Sequence, residues 1–210
     1  MFPLESVRLP GEDLPLRIFE PRYGALVREC LDGAREFGVV LIAAGREVGG
    51  EDARCDVGSM AHIVDYQDLG EGRYLLACEM RQRIRVTSWL DDDPYPRADV
   101  EVWPDEPGPT ITGDDIAAVE DHLMAIFERV AAAQEATLPS RSELLGEPEP
   151  GDDAGKRLYA LSSRVPMGQA DRYAVLAAPS AAKRLDALRD AVETVAAMIE
   201  FQLADGGAPD

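Results

Sequence analysis

The sequence predicts an α+β fold, with short antiparallel strands in the first half of the chain and helices in the second. Two observations lead to this prediction. Up to residue 103, apolar and polar residues alternate in short runs that turn residues separate. Beyond residue 112, apolar residues recur every three or four positions, as they do along one face of a helix. The strands would form a small barrel or sandwich, and the helices would pack as a bundle.

The chain opens with two extended segments and a helix. Residues 4–9 are mainly apolar and stop at the turn signal Pro10-Gly11. Residues 14–19 also read as extended. Glu20 after them stays extended as well, because Pro21 disfavours helical geometry at the residue before it. Pro21 suits the first position of a helix, and Gly33 is placed to end that helix.

Further strands follow, interrupted by a glycine-rich, charged loop at residues 45–56. The segment 37–43 is apolar throughout, which is typical of a strand inside the core. The others alternate or end at glycine turns, and in one of them Arg83 and Arg85 face away from the apolar side. We predict strands at residues 37–43, 57–66, 73–78, 82–90 and 98–103.

The second half begins after a linker rich in proline and acid at residues 105–109. Thr112 and Asp115 resemble a capping box, and the apolar stripe after them predicts a long helix. Residues 138–153 are rich in proline and acid, so we predict a mobile loop there. Short helices are predicted around residues 156–163 and 170–177, and a last helix starts at the N-cap Ser180. The predicted domains are residues 1–106 and 107–210.

Composition limits the function. The net charge is −19, from 21 basic and 40 acidic residues, so binding to nucleic acid lacks its main driving force. No apolar run approaches the length of a membrane span, and no signal peptide is visible, which predicts a cytoplasmic protein without a membrane partner. Cys30, Cys55 and Cys78 are far apart and form no CxxC pair, which predicts three reduced thiols and no metal site.

A family resemblance appears once these segments are taken in order. The string from Leu14 to Tyr23, Leu-Pro-Leu-Arg-Ile-Phe-Glu-Pro-Arg-Tyr, is similar to the start of the Lon protease N-terminal domain and is the most specific part of the match. The resemblance covers about residues 2–204. It departs from the family at Ile84, where an aromatic residue is usual, and near Met80, where a glycine is. Other matching segments are Phe2-Pro3-Leu4, Pro10-Gly11, Phe37–Ile42, Glu47-Val48-Gly49, Val57–Ala61, Arg83–Val86, Leu161–Val165, Asp171-Arg172 and Leu176–Leu185.

The resemblance implies a PUA-like antiparallel β-barrel, carrying one inserted helix, followed by a helical bundle. In Lon proteases this region collects unfolded or tagged substrates for an ATPase and a serine–lysine protease domain. The present sequence contains no G-x-x-x-x-G-K-[ST] loop for ATP phosphates. It therefore looks like a stand-alone relative without ATPase or protease domains, and we expect it to need no cofactor.

Enzymatic activity is not expected from the residues themselves. Nucleophilic catalysis needs a nucleophile within hydrogen-bond reach of a base. The candidate histidine bases are His62, in a strand, and His122, on the flank of a helix. A serine–lysine dyad would need Lys156 or Lys183, and both lie on helical segments that are predicted to be exposed. A hydrolase with an unrecognised site stays open as an alternative, and so does an RNA-binding PUA-like protein.

The expected function is binding of protein or peptide segments, with a separate protease or chaperone as a possible partner. Docking would use a sheet edge or the groove between barrel and bundle. The same side chains could instead only fix the strand–helix junction or solvate a strand. The predicted peptide-binding residues are Arg17, Phe19, Glu20, Arg22 and Tyr23, together with Arg83 and Arg85.

Overall fold

The computed structural model describes residues 1–44, 53–148, 151 and 153–204. It divides the chain into two compact units, residues 1–104 and 105–210. Most of the predicted glycine-rich loop and the chain end from residue 205 lie outside the described residues. The division into two domains at residue 106 stays a prediction, which expression of the separate halves would test.

Unit 1 contains one helix and a mixed sheet that has six strands within the described residues. Polar and apolar residues alternate along most strands, so that one side of each is buried. The elements are β1 (Phe2–Leu4), β2 (Asp13–Ile18), α1 (Pro21–Asp32), β3 (Glu36–Ala44), β4 (Ala53–Gly70), β5 (Arg73–Leu90) and β6 (Arg97–Val102).

The sheet order is β1-β3-β4-β5-β2, with β6 beside the second half of β5. The prediction of an antiparallel barrel was wrong in two respects. The β1–β3 pair is parallel. The described strands also do not close into a barrel, because β1 and β2 stand at the two ends of the order and do not pair with each other. Segment 4–9 is likewise mostly not strand: β1 ends at Leu4, although Val7 and Leu9 are buried. The polar–apolar alternation marks which face is buried, but closure depends on long-range pairing that a single strand's pattern does not contain.

The strands predicted at residues 73–78 and 82–90 are one continuous strand. The polar stretch between them reads as a break, but Met80 is buried in the core and pairs with Ala61. A register shift opposite Ser59 and Ala61, where β5 contains one more residue than β4, accommodates the change. The result is a long β4–β5 hairpin, whose turn lies at residues 70–73.

The predicted helix after Pro21 is confirmed, with Pro21 at its start and Gly33 at its C-cap. Its apolar face contributes Tyr23, Leu26 and Val27 to the core of unit 1. Gly24 allows a close backbone approach, because a Cβ atom there would lie 2.3 Å from the carbonyl oxygen of Gly72 in the β4–β5 turn.

Unit 2 is helical in the residues described. None of the helices in the described part of the chain has the length and hydropathy that crossing a membrane requires. Its elements are α2 (Gly113–Ala133), α3 (Arg141–Leu145), α4 (Ala154–Ser162), α5 (Gln169–Ala177) and α6 (Ala181–Ala204). The predicted long helix, both short helices and the last helix are therefore confirmed.

Capping explains where the helices of unit 2 begin. Thr112 and Asp115 form the predicted capping box, and the Ser180 hydroxyl accepts a hydrogen bond from the Lys183 N–H at 3.3 Å. The prediction of a mobile loop over residues 138–153 was wrong for its first part, which contains α3. Ser140 and Glu143 form a second capping box, and Leu145 is buried. The Ser-x-x-Glu spacing is visible in the sequence and predicts this helix.

Candidate functional site: an edge pocket between the end strands of the sheet

The predicted binding segment lies at the junction of β2 and α1. Strand alternation turns Ile18 into the core and leaves Arg17 and Phe19 exposed, Phe19 by 60%. The helix then buries Tyr23. The five residues predicted from this segment therefore occupy one short stretch with mixed burial, in which Phe19 is an exposed aromatic side chain.

A pocket of about 100 Å³ lies beside this junction. Consecutive residues of β2 line it, from both faces of the strand, and so do consecutive residues of β1. A pocket with such a lining lies between the edges of the two strands and not on one face. We call it the edge pocket; its residues are Phe2, Pro3, Leu4, Leu16, Arg17, Ile18, Phe19, Glu20 and Tyr23. It occupies the place where a closed barrel would pair β1 with β2.

The backbone of β2 presents hydrogen-bonding groups toward this gap. Met80 of β5 donates its N–H to the Glu12 carbonyl and accepts from the Gly11 N–H, each at 2.8 Å, so Met80 faces β2. Alternation along the paired strands then directs the backbone of residues 14, 16 and 18 toward β5, and that of residues 13, 15 and 17 away from it. Pro15 fits this arrangement, because a proline in a sheet occupies an outward position on an edge strand.

Charges around the edge pocket are partly compensated. Arg22 donates from Nε to the Glu20 carboxylate at 3.0 Å, and its guanidinium lies 4.5 Å from the centroid of the Tyr23 ring. The Tyr23 ring in turn stacks on Phe2, with 4.3 Å between centroids. Glu20, Arg22 and Tyr23 therefore form one connected group, which holds the start of α1 against β1.

The comparisons with known proteins agree on one family. Residues 1–194 match the model of the ATP-dependent protease La (LON) substrate-binding domain. The chain belongs to this family. No protease or ATPase domain is detected beside it in this sequence.

Relatives of this Lon substrate-binding domain include Lon protease 1 of Herpetosiphon aurantiacus, which is 27% identical over 187 residues. That match covers 87% of the present chain but only 22% of the relative. The crystal structure of a Lon N-terminal domain protein from Xanthomonas campestris is similar, with a TM-score of 0.60 and 25% identity, over 90% of this chain and 95% of that one. The N-terminal domain of the Mycobacterium avium complex Lon protease has a TM-score of 0.58 over 90% and 94% of the two chains. At 16% identity this second structure supports the fold alone.

The other two predicted residues of this Lon domain, Arg83 and Arg85, do not line the edge pocket. Arg83 is buried and donates to the backbone carbonyls of Trp103 and Pro104, at 3.0 and 3.3 Å. Arg85 is exposed and forms an ion pair with Glu101 at 2.7 Å. Both guanidinium groups also lie against the Trp103 ring, 4.1 and 4.8 Å from its centroid. These contacts hold the end of β6 against β5.

The other candidates for chemistry are dispersed. The Nδ1 atom of His62 lies 3.7 Å from the Glu36 carboxylate, and His122 is exposed on α2. Burial raises the pKa of the Cys30 thiol to about 11 and that of Cys78 to about 12, so both are protonated at neutral pH. Among the residues that the structure describes, no three His, Cys, Asp or Glu side chains are grouped to hold a metal ion.

A larger cleft of about 450 Å³ also lies in unit 1, and its residues include Met1, Phe37 and Tyr95. Two acidic residues of its wall are engaged. Glu29 accepts a hydrogen bond from the Tyr95 hydroxyl, and Glu36 pairs with Arg81 at 3.2 Å. Burial and the bond to Glu29 raise the pKa of Tyr95 to about 12, so its hydroxyl remains a donor. The prediction from sequence missed this cleft, because its residues come from five separate elements and loops.

Proposed function

We propose that this Lon substrate-binding domain binds extended segments of protein chains at the edge pocket. The observation that supports the proposal best is the edge of β2 that no described strand pairs with, which runs beside an apolar pocket and an exposed phenylalanine. Extended peptides commonly bind by adding a strand to such an edge, with alternate side chains entering pockets. Backbone groups would supply affinity that is largely independent of sequence, as recognition of varied unfolded clients requires.

In the proposed complex, a client strand lies along β2 and bonds to the outward backbone groups of Asp13 and Arg17. One client side chain enters the edge pocket, and Phe19 covers it from the rim. Pro15 removes one donor from this edge, so the segment pairs less completely than a native strand. Weak, exchangeable binding of this kind suits a protein that passes its clients on.

The free end of β4 is less suited to the same role, although Val64, Tyr66 and Leu69 are exposed there. Two of its backbone donors are bonded locally: the Tyr66 N–H donates to the Asp65 carboxylate at 2.9 Å and the Gly70 N–H to Asp68 at 2.7 Å. Acidic residues that cap their own strand in this manner protect an edge against pairing.

The family name supports protein substrates as ligands in general. The present chain spans about a fifth of the length of Lon protease 1 of Herpetosiphon aurantiacus, so delivery of bound clients to an ATP-dependent protease or a chaperone is a further part of the proposal. RNA binding is less well supported than peptide binding, because Arg83 is buried and Arg85 is neutralised by Glu101.

Fluorescence anisotropy with labelled, apolar-rich unfolded peptides tests the proposal. Aromatic side chains that become buried on binding often contribute more than 1 kcal/mol, and Phe19 would be covered by the client, so Phe19→Ala should weaken binding about tenfold. Phe201→Ala is the matched control, since Phe201 is 67% exposed on α6. Thermal unfolding of both variants would check that the fold is intact.

Absence of binding to every peptide would overturn the proposal. Equal losses for Phe19→Ala and Phe201→Ala would also contradict it, because the edge pocket would then have no special role. Binding by the isolated residues 1–106, compared with binding by the whole chain, would in addition test the predicted domain boundary.

A further inference from the structure

Three arginines of the sheet are held in ion pairs, whereas Arg17, within the described residues, is not. Arg54 pairs with Asp92 at 2.7 Å, Arg81 with Glu36 at 3.2 Å and Arg85 with Glu101 at 2.7 Å. Arg17 has no ion-pair partner among the described residues. The register explains the difference, because the residue opposite Arg17 on β5 is Leu75, and the next one across, on β4, is Gln67.

Arg17 is also the uncompensated charge of the edge pocket. The other charged residue in its lining is Glu20, whose carboxylate is held by Arg22. The wall of the pocket therefore carries a local positive charge within a chain of net charge −19. Such a site attracts a carboxylate at short range, even though the whole molecule repels acidic ligands at long range.

The size of the pocket limits the neighbouring group. At the packing density of protein interiors, a volume of about 100 Å³ holds an isopropyl or isobutyl group, which takes roughly 80–110 Å³, whereas an indole or a phenol is too large. Besides Arg17 and Glu20, the residues that line the pocket have aliphatic or aromatic side chains.

We infer that the edge pocket selects an aliphatic side chain that has an acidic residue close to it in the bound segment, and that Arg17 is the residue that reads this charge. The inference rests on the proposed function and names its preferred client chemistry. The aliphatic group fills the pocket, and the client carboxylate pairs with the guanidinium of Arg17 at the rim.

Four labelled peptides, identical except at two adjacent positions, test the inference by anisotropy at low ionic strength. They carry Leu-Asp, Leu-Asn, Leu-Lys or Trp-Asp at the centre. The Leu-Asp peptide should bind about two- to fivefold more tightly than Leu-Asn, as exposed ion pairs do. It should bind about tenfold more tightly than Trp-Asp, which leaves its ring outside the pocket.

Charge reversal at Arg17 provides the decisive comparison. Arg17→Glu should invert the order, so that Leu-Lys binds more tightly than Leu-Asp. Arg73→Glu is the matched control, because it changes the net charge equally at an exposed arginine of the same sheet, on β5. That variant should keep the original order, with only a small uniform shift.

The outcomes distinguish failure of the proposed function from failure of the inferred role of Arg17. If no peptide binds, the proposed function fails. If all four bind with equal affinity, or if Arg17→Glu and Arg73→Glu change the preference alike, the proposed function stands and the inferred role of Arg17 is wrong. Loss of the Asp preference at high salt, with the Leu-over-Trp preference retained, would support both parts of the inference.

Discussion

The two units of this chain place their charged side chains differently. In the sheet of unit 1, ion pairs such as Arg73–Glu71 lie at the surface, and the core residues are apolar apart from a few groups bonded to backbone. In helical unit 2, Arg184 is 1% exposed and binds the Asp105 carboxylate, with 2.9 Å between Nη1 and Oδ2. Its guanidinium also lies 3.9 Å from the centroid of the Tyr159 ring.

Unit 2 contains a second arginine of this kind. Arg157 is buried; it donates from Nε to Glu120 at 3.0 Å and from Nη1 to the Leu145 carbonyl at 3.1 Å. Burial alone would raise the pKa of Glu120, but hydrogen bonds from Arg157 and Arg141 outweigh it, and the pKa is lowered. The carboxylate therefore stays ionised, and it connects α2 with α3 and α4.

The difference has a physical cause. Backbone hydrogen bonds join the strands of a sheet, and the pattern of apolar residues together with the turns sets their register, so its side chains need supply little more than an apolar face. Helices form their backbone hydrogen bonds internally, apart from those at their ends, and pack against one another through side chains. Buried ionic contacts give such an assembly a single arrangement, because a misplaced charge is costly. The three predictions below test whether this contrast holds, from the largest expected effect to the smallest.

Removing the buried guanidinium should destabilise unit 2 strongly. Arg184→Ala removes a fully buried side chain together with its bond to Asp105, and should lower the free energy of unfolding by about 2–5 kcal/mol, mainly through the cavity that it leaves. Urea unfolding followed by the helical circular dichroism signal measures this. Arg73→Ala, which breaks an exposed pair in unit 1, should cost no more than about 1 kcal/mol.

The Arg184→Met variant sharpens the result. Methionine replaces the apolar stem of Arg184 without its charge, and Asp105 is exposed enough to be hydrated. This variant should therefore be more stable than Arg184→Ala. Similar losses for Arg184→Ala and Arg73→Ala would show that the buried contact has no special importance, and the contrast between the units would be lost.

In unit 1 the equivalent weak point is the spacing between strands. A Cβ atom on Gly58 would lie 2.1 Å from the Val39 carbonyl oxygen on the paired strand β3. Gly58→Ala should therefore lower the free energy of unfolding by about 1–3 kcal/mol, through forced displacement of the backbone. Tryptophan fluorescence during urea unfolding reports on this unit, which contains Trp89 and Trp103.

Gly113→Ala, followed by the helical circular dichroism signal because it lies in unit 2, is the control for this glycine, since nothing lies within 4 Å of the added atom. It should change stability by less than about 0.5 kcal/mol. If Gly58→Ala is equally harmless, the two strands can move apart without cost, and their close spacing does not contribute to the stability of unit 1.

The smallest effect concerns the start of α2 in acid. Hydrogen bonds from Thr112 and Arg189 lower the pKa of Asp115 to about 2. Because an unfolded aspartate titrates near about 3.9, the ionised carboxylate stabilises the fold fully above that pH. This contribution is lost as the pH falls from about 4 through 2.

Urea unfolding at pH 5 and at pH 2.5 measures this dependence. Asp115→Asn should lose less stability between the two pH values than the unaltered chain does. Asp114→Asn, at the neighbouring exposed position, should behave like the unaltered chain. The same pH dependence in all three proteins would mean that the carboxylate does not stabilise the cap.

Much of the secondary structure could be predicted because its causes are local. Pro21 and Gly33 mark the ends of α1, and Thr112 and Ser180 mark the starts of α2 and α6. The Ser140–Glu143 capping box could have predicted α3 by the same reasoning. Each of these signals involves residues only a few positions apart, so neighbouring chemistry decides the outcome.

The predicted binding segment could be recognised from the sequence only in part. The sequence predicts an extended segment that ends at a helix-starting proline, whereas the exposure of Arg17 and Phe19 is seen in the structure. That Arg83 lies under the Trp103 ring, and is not available beside Arg17, depends on the pairing of β5 with β6. A row of alternating arginines looks the same in the sequence whether its members are exposed or covered.

By itself, the sequence determined where most of the helices lie, which residues of most strands are buried, the family, and the acidity that disfavours nucleic acid. Only the tertiary structure decided that β1 and β2 do not pair with each other and line a common pocket, and that Asp105 meets Arg184 across 79 positions. The reason is that periodicity and capping are properties of adjacent residues. Strand order and buried ion pairs depend instead on which distant segments meet, and their free energy appears only when the whole unit has formed.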